Sequence, residues 1–186
     1  MAKLYLVRHA KAAANFAEAE DPGLSDEGRE SAVDLALKLE ALGPLPVLSS
    51  PLQRAQETAA PLANRWGSVA EISAAVSEVP TPPEIAMQGL AARGPWLKRI
   101  AAQRYADQPG ILRAWRQGVV GSLLSCRSDI VIFTHFMVIN AAMGAALKDD
   151  RLVLFQPAHC SCTVFENGDG SLKLLERGAE ASTQVL

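Results

Sequence analysis

The sequence lacks an excess of either charge, a long apolar run and a rich supply of cysteine. Its 18 basic and 20 acidic side chains leave a formal net charge of -2, and no block of like charge marks a nucleic-acid surface. The apolar run near the N-terminus is interrupted after a few residues by Arg8 and His9, which makes it too short for a signal peptide or a membrane span. We therefore expect no nucleic-acid partner, no membrane association and a cytoplasmic location.

The three cysteines, Cys126, Cys160 and Cys162, are an odd number. Their spacing suits neither a disulfide framework nor a four-ligand zinc site. We expect reduced thiols, with His159, Cys160 and Cys162 along an edge strand. Dense carboxylate clusters that could hold a metal ion are also missing from the sequence, so we predict neither a metal nor another cofactor.

The length and composition favour one domain. A chain of 186 residues with 49% hydrophobic side chains can bury one sizeable core and is short for two. We predict a single domain over residues 1–186.

Three short apolar runs have the composition of buried strands. Residues 3–7 lead into Arg8-His9, residues 46–49 lead into Ser50, and residues 129–133 lead into Thr134-His135. Each predicted strand therefore ends at polar side chains.

Helical patterns alternate with these runs. We predict a helix at 26–42 with Ser25 as its N-cap, a helix at 51–66 that starts at Ser50-Pro51, and a helix at 136–147. Two or three further helices should lie between 84 and 126, with breaks at 94–95 and 108–110.

The remaining segments have extended or turn character. Residues 71–79 look extended, and the prolines at 80, 82 and 83 predict a stiff loop after Glu78. Residues 162–165 and 172–175 flank a turn at 167–170, which predicts a hairpin at a sheet edge.

Strands that alternate with helices predict an α/β fold: a three-layer sandwich with a mostly parallel central sheet flanked by helices, and an antiparallel edge strand. Ligands of such sheets bind at the carboxyl ends of the strands. Arg8, His9, Ser50 and His135 all fall there.

Arg54 belongs to the same predicted site. Helical side chains lean toward the N-terminus of their helix, so its guanidinium can reach back over the strand end. Unpaired amides and the helix dipole favour an anion at that point. With Arg8 as a second guanidinium, bidentate binding of a phosphate group is geometrically natural.

Four segments, in order along the chain, resemble the motifs of the histidine phosphatase superfamily, the phosphoglycerate mutase-like proteins. They are LVRHA at 6–10 with Asn15 six residues after His9, LSDEGR at 24–29, SSPLQRAQETA at 49–59, and Thr134-His135. The resemblance implies a phosphoglycerate mutase-like fold and covers most of the chain.

The resemblance also implies a metal-independent histidine acid phosphatase-type phosphoric monoester hydrolase. Its substrate would be a small phosphomonoester or a phosphohistidine. His9 would attack phosphorus to form a phosphohistidine, which water then hydrolyses. Arg8, Arg54 and His135 would neutralise the phosphoryl oxygens, with Asn15 as a further donor. Neutral imidazole is a competent nucleophile, and fixed cations stabilise the charge of the transition state.

A leaving alkoxide needs a proton, and the family pattern calls for an acid on a loop beside the pocket. Glu78 is our candidate and Glu84 the alternative; burial or anionic neighbours would have to raise the carboxyl pKa. Ala10, Ala12 and Phe136 depart from the family pattern and suggest a narrower or more apolar pocket. Lys11 either attracts an anionic substrate or is a solvated side chain.

Two other functions share these residues. A phosphoglycerate-type phosphomutase would retain the phosphoenzyme and exclude water, but its relatives resemble longer chains, so the short middle region favours hydrolysis. A non-catalytic phospholigand-binding protein would keep the pocket without turnover.

Overall fold

A six-stranded sheet forms the centre of the computed structural model, which describes residues 1–15 and 17–181. The strands are β1 (Ala2–Arg8), β2 (Val47–Ser49), β3 (Glu71–Ile72), β4 (Ile130–Thr134), β5 (Cys162–Gly168) and β6 (Ser171–Glu176). The α-helices are α1 (Asp26–Leu39), α2 (Gln53–Arg65), α3 (Pro83–Ala86), α4 (Arg93–Ala101), α5 (Gly110–Ser125) and α6 (Phe136–Leu147). Residues 182–186 of the predicted single domain lie outside this description.

The sheet has the order β3-β2-β4-β1-β5-β6. Strands β1 to β4 pair in parallel, and β5 and β6 pair antiparallel to their neighbours. The register places Arg8 beside Thr134, and Ser49 beside Phe133. The carboxyl ends of β1, β2 and β4 therefore meet at one edge, as the sequence predicted for a mostly parallel α/β sheet.

Helices cover both faces of the sheet. Successive residues of a strand point to opposite faces, and apolar side chains on each face pack against helices. Leu6 and Ile132 belong to the hydrophobic cluster formed with α5 and α6. Val7 and Phe133 belong to the cluster formed with α1 and α2. The architecture is thus a three-layer sandwich, and both faces of the central strands are buried.

Two helices follow the sequence prediction closely. Ser25 caps α1, and its hydroxyl accepts a hydrogen bond from the amide of Gly28. That helix ends at Leu39 and tightens into a 3-10 turn that reaches Leu42. Helix α6 has the predicted bounds.

The predicted start of α2 at Ser50-Pro51 is wrong by two residues. The helix begins at Gln53, since Leu52 is extended (φ -71°, ψ 135°). The Ser50 hydroxyl accepts from the amide of Leu52 and closes a turn before the helix. The amide of Gln53 donates instead to Asp21 Oδ1 at 2.9 Å, so a loop distant in sequence supplies the cap.

The prediction that residues 71–79 are extended is also largely wrong. Only Glu71–Ile72 forms a strand, and Ala74–Val76 forms a 3-10 helix after Ser73, whose hydroxyl accepts from the amide of Ala75. The prolines at 80, 82 and 83 predict a loop, yet α3 begins at Pro83. Proline at a first helical position loses no hydrogen bond it could have made.

Three α-helices lie in the middle region, as expected, but one predicted break is wrong. Pro95 lies in the first turn of α4, where a missing amide proton is tolerated. The break at 108–110 is confirmed, because α5 begins at Gly110.

The C-terminal hairpin is confirmed, and β6 lies at the sheet edge. His159 and Cys160 were expected on an edge strand, but they lie in the turn that precedes β5. Cys162 begins β5, which is an inner strand because it pairs with both β1 and β6. All three cysteines are free thiols.

Within the described ranges, the helices are all too short or too polar to cross a membrane.

Candidate active site

Two histidines and two arginines converge at the carboxyl edge of the parallel strands. Arg8 ends β1, His9 follows it, and His135 follows β4. The ring centroids of His9 and His135 are 5.2 Å apart. Arg54, in the first turn of α2, reaches His9 with its side chain. These four side chains are buried, so the residues that the sequence placed in one site are in fact together.

The hydrogen bonds of His9 define its tautomer. Nδ1 lies 2.7 Å from the carbonyl oxygen of Ala10, a partner that can only accept, so Nδ1 carries the proton. Nε2 accepts from Arg54 Nε at 3.2 Å. Burial, then the neighbouring His135 and the two arginines, hold the pKa of His9 well below its ordinary value. The ring is therefore neutral, with its lone pair on Nε2.

Thr58 fixes the backbone around the nucleophile candidate. Its hydroxyl donates to the carbonyl oxygen of Arg54 at 2.6 Å and accepts from the amide of Ala10 at 3.0 Å. Ala10 is fully buried against Leu24 and Ala32, which accounts for an apolar side chain beside the histidine. Helix α2 and the end of β1 are thus held in a fixed relation.

His135 is oriented by Ser50, whose hydroxyl lies 2.7 Å from Nε2. Burial and the two arginines lower the pKa of His135 well below the ordinary value. Among the described residues, neither its buried Nδ1 nor the buried Nε of Arg8 has a hydrogen-bond partner. Buried polar atoms without partners are unusual in proteins, and a catalytic role is one explanation for them.

Arg8 is held from two sides. One terminal nitrogen donates to the carbonyl oxygen of Pro157 at 2.8 Å, and the guanidinium lies over the ring of Phe136, 5.3 Å from its centroid. This stacking gives a reason for the aromatic residue after His135. Burial and, to a smaller extent, Arg54 lower the pKa of Arg8 to about 10, so the side chain remains a cation at neutral pH.

Glu78 lies on the loop after the 3-10 helix, close enough to Arg8 and Arg54 for their charges to affect it. Its Oε1 accepts from the amide of Val79 at 2.9 Å. Burial raises the pKa of Glu78, against the opposing influence of that hydrogen bond and of the arginines. Glu84, the alternative acid, is exposed on α3.

Asn15 and Lys11 lie in the exposed loop after β1. The Asn15 side-chain oxygen accepts from the amide of Ala17 at 2.9 Å, a bond within its own turn. Lys11 Nζ forms an ion pair of 2.6 Å with Glu27 Oε2. Its charge is therefore matched by a carboxylate, and Asn15 remains only a predicted phosphate donor.

Two residues at the site were not identified from the sequence. Asp21 Oδ1, which caps α2, also lies 3.8 Å from a terminal nitrogen of Arg54. The exposed ring of His159 lies 5.6 Å from that of His9, and partial desolvation with the charges of Arg8 and Lys11 lowers its pKa to about 4. His159 was assigned to an edge strand, and Asp21 has no local pattern to mark it.

Over residues 1–15 and 17–181, no group of three or more His, Cys, Asp and Glu side chains could hold a metal ion. The charged and titratable side chains at the site are the nitrogen donors of two histidines and two arginines, the nearby ring of His159, and the carboxyl groups of Glu78 and Asp21.

The mixed sheet with helices on both faces is the phosphoglycerate mutase-like α/β fold, and it gathers two histidines and two arginines at the carboxyl edge of its parallel strands. The chain belongs to the histidine phosphatase superfamily, branch 1, whose family model matches residues 4–179.

The chain is also similar to a known phosphatase in sequence and to solved structures in fold. The chain is 35% identical to the glucosyl-3-phosphoglycerate phosphatase of Mycobacterium tuberculosis over 97 residues, 52% of this chain and 38% of that protein's length. The native structure of a mycobacterial glucosyl-3-phosphoglycerate phosphatase matches with a TM-score of 0.73 and 22% identity, over 97% of this chain and all of that one. Its complex with inorganic phosphate matches with a TM-score of 0.69 and 24% identity, over 98% of each chain.

Proposed function

We propose that the chain is a phosphatase that hydrolyses a small phosphomonoester through a phosphohistidine on His9. The observation that carries this proposal is the state of His9: a buried neutral imidazole with its proton on Nδ1 and its lone pair on Nε2, beside Arg54 and Arg8. A nucleophile must be unprotonated at the attacking atom, and charge on a phosphoryl group must be met by fixed donors.

In the first step, Nε2 of His9 forms a bond to phosphorus as the bond from phosphorus to the ester oxygen breaks. Arg8, Arg54 and His135 stabilise the charge on the phosphoryl oxygens. Glu78, whose pKa is raised by burial, gives its proton to the leaving oxygen. The products of this step are an alcohol, a phosphohistidine and a Glu78 carboxylate.

In the second step, water attacks phosphorus and the bond to Nε2 breaks. The Glu78 carboxylate accepts a proton from the water, which restores the acid for the next cycle. His9 returns to its neutral form, with Nδ1 still donating to the Ala10 carbonyl oxygen.

The names of the relatives suggest where to look for the substrate. A protein that shares 35% identity over 52% of this chain acts on glucosyl-3-phosphoglycerate. We therefore propose a small phosphorylated metabolite of the sugar phosphate or phosphoglycerate type, with glucosyl-3-phosphoglycerate as the first candidate in a panel.

The test is phosphate release from p-nitrophenyl phosphate with excess EDTA, for wild type and His9→Ala side by side. We expect EDTA-resistant activity in the wild type and none in the variant. Turnover that survives in His9→Ala would overturn the mechanism. Tight phosphate binding without turnover in the wild type would support a non-catalytic binding protein instead.

A further inference from the structure

The backbone immediately before Glu78 is held by two side chains from different parts of the fold. The hydroxyl of Thr134 donates to the carbonyl oxygen of Val76 at 2.7 Å, and the indole Nε1 of Trp115 donates to the carbonyl oxygen of Ser77 at 3.1 Å. Both distances are those of well-formed hydrogen bonds. The two peptide units that precede the candidate acid are thus anchored one after the other.

The two anchors come from rigid elements. Thr134 ends β4 and is fully buried directly before His135. Trp115 lies in α5 and packs against two separate hydrophobic clusters. Val76 and Val79 are buried on either side of Glu78. The loop therefore has little freedom to move relative to the strand that carries His135.

We infer that Trp115 is a positioning residue for Glu78, so that α5 determines how well the leaving group is protonated. This inference rests on the proposed function, in which Glu78 is the acid. A general acid acts only within hydrogen-bond reach of the oxygen it protonates, and displacement by about 1 Å can cost on the order of a hundredfold in rate. The indole N–H of Trp115 limits such a displacement, because it holds the carbonyl oxygen of Ser77, the residue directly before Glu78.

The test variant is Trp115→Phe, which keeps an aromatic ring and removes the N–H donor. We expect kcat/KM for an alkyl phosphate, whose leaving group needs a proton, to fall by roughly tenfold or more. The kcat/KM for p-nitrophenyl phosphate, whose leaving group does not, should change by less than about threefold. Because kcat/KM extends only to formation of the phosphohistidine, it excludes the hydrolysis step in which Glu78 acts as the base for both substrates.

A second variant guards against a packing defect at Trp115. Thr134→Val replaces the other anchoring hydroxyl with a methyl group of similar shape, and we expect the same preferential loss on the alkyl phosphate. Thermal unfolding of each variant shows that the comparison is made on folded protein.

Tyr105→Phe is the matched control. Tyr105 is buried, and this burial raises its pKa. The nearby charge of Glu78 also raises the pKa of Tyr105, and the charge of Arg116 opposes the rise. Its hydroxyl has no hydrogen-bond partner within the described ranges, and Arg116 stacks on the ring, 4.5 Å from the centroid. Removing this hydroxyl takes away no anchor, so the ratio of the two rates should equal that of wild type.

Glu78→Gln separates failure of the inference from failure of the proposed function. If Glu78→Gln shows the preferential loss on the alkyl phosphate while neither Trp115→Phe nor Thr134→Val does, the inference is wrong and the acid assignment stands. If Glu78→Gln lowers kcat/KM equally for both substrates, Glu78 is not the acid and the inference falls with it. A loss in both anchor variants that matches the pattern of Glu78→Gln would support the inference.

Discussion

Arg54 donates to the same nitrogen that we propose as the nucleophile. Its Nε lies 3.2 Å from His9 Nε2, and its position at the start of α2 is fixed by the Thr58 hydroxyl on its carbonyl oxygen. A guanidinium has five N–H donors, so Arg54 can turn a donor to a phosphoryl oxygen when Nε2 gives up this hydrogen bond and uses its lone pair to attack phosphorus. Arg54 is therefore the residue at which the nucleophile and the proposed phosphate site meet.

We predict that Arg54→Ala lowers kcat/KM by on the order of a hundredfold or more, because one fixed donor to the transition state is lost. Steady-state phosphate release from p-nitrophenyl phosphate measures the effect. Arg65→Ala is the control on the same helix, since Arg65 pairs with Glu40 at 2.6 Å, away from His9. A normal rate in Arg54→Ala would remove Arg54 from the site.

At this scale, short motifs were enough to bring Arg8, His9, Arg54 and His135 together. A parallel sheet places its strand ends at one edge whatever the loops do, so the convergence of Arg8, His9 and His135 follows from the pattern of strands. Arg54 joins them because helical side chains lean toward the N-terminus of their helix. Asp21 and His159 were not identified because their nearness to Arg54 and His9 depends on loop geometry. No propensity or periodicity encodes a contact of that kind.

Elements with their own local signals were the most predictable. Helix α6 has the expected bounds, and the Ser25 cap sets the start of α1. The start of α2 was missed because Asp21, distant in sequence, caps Gln53. The 3-10 helix before Glu78 was also missed, since a three-residue turn leaves almost no periodicity to read.

The structure explains why position 28, in the LSDEGR segment, is a glycine. A Cβ at Gly28 would lie 2.1 Å from the carbonyl oxygen of Lys11, which also accepts from the amide of Ser25 at 3.0 Å. Helix α1 therefore approaches the backbone two residues after His9 too closely for any side chain. We predict that Gly28→Ala lowers both the free energy of unfolding and the rate on p-nitrophenyl phosphate.

Gly121→Ala is the comparison for this prediction. Gly121 lies within α5, and an added Cβ would meet no atom within 4 Å among the described residues. Alanine there should raise the free energy of unfolding by about 0.5–1 kcal/mol through its higher helix propensity, with unchanged activity. Urea unfolding and steady-state rates check both variants, and an equal gain in Gly28→Ala would contradict the close approach.

Burial of neutral histidines should couple the whole fold to pH. The pKa values of His9 and His135 are held well below 6.5, chiefly by burial. Below about pH 6.5 the unfolded chain protonates these rings while the folded chain does not. The unfolded state then binds more protons, so stability falls as pH decreases.

We predict that the free energy of unfolding decreases on acidification below about pH 6.5, by up to about 1.4 kcal/mol per pH unit for each such histidine. Urea unfolding at neutral and mildly acidic pH measures this slope. His9→Gln removes one titrating ring and should give a shallower slope than wild type. An identical slope in the variant would show that His9 does not contribute.

Glu78 should limit the rate on substrates with poor leaving groups at alkaline pH. Because burial raises its pKa, the proton needed by a poor leaving group is present at low pH and is lost as pH rises through that raised value. The kcat for an alkyl phosphate should therefore fall on the alkaline side, and this fall should be absent in Glu78→Gln. A fall of the same size in both proteins would assign the alkaline limb to another group.

The most direct test of the account is to trap the phosphoenzyme. Wild type and His9→Ala are mixed with p-nitrophenyl phosphate, quenched in alkali, which preserves a phosphorus–nitrogen bond, and analysed by peptide mass spectrometry. We predict one phosphoryl group on the peptide that contains His9 in wild type and none in His9→Ala. A phosphoryl group on any other residue would contradict the central claim. Turnover in which no phosphoryl group is found on His9 would contradict it as well.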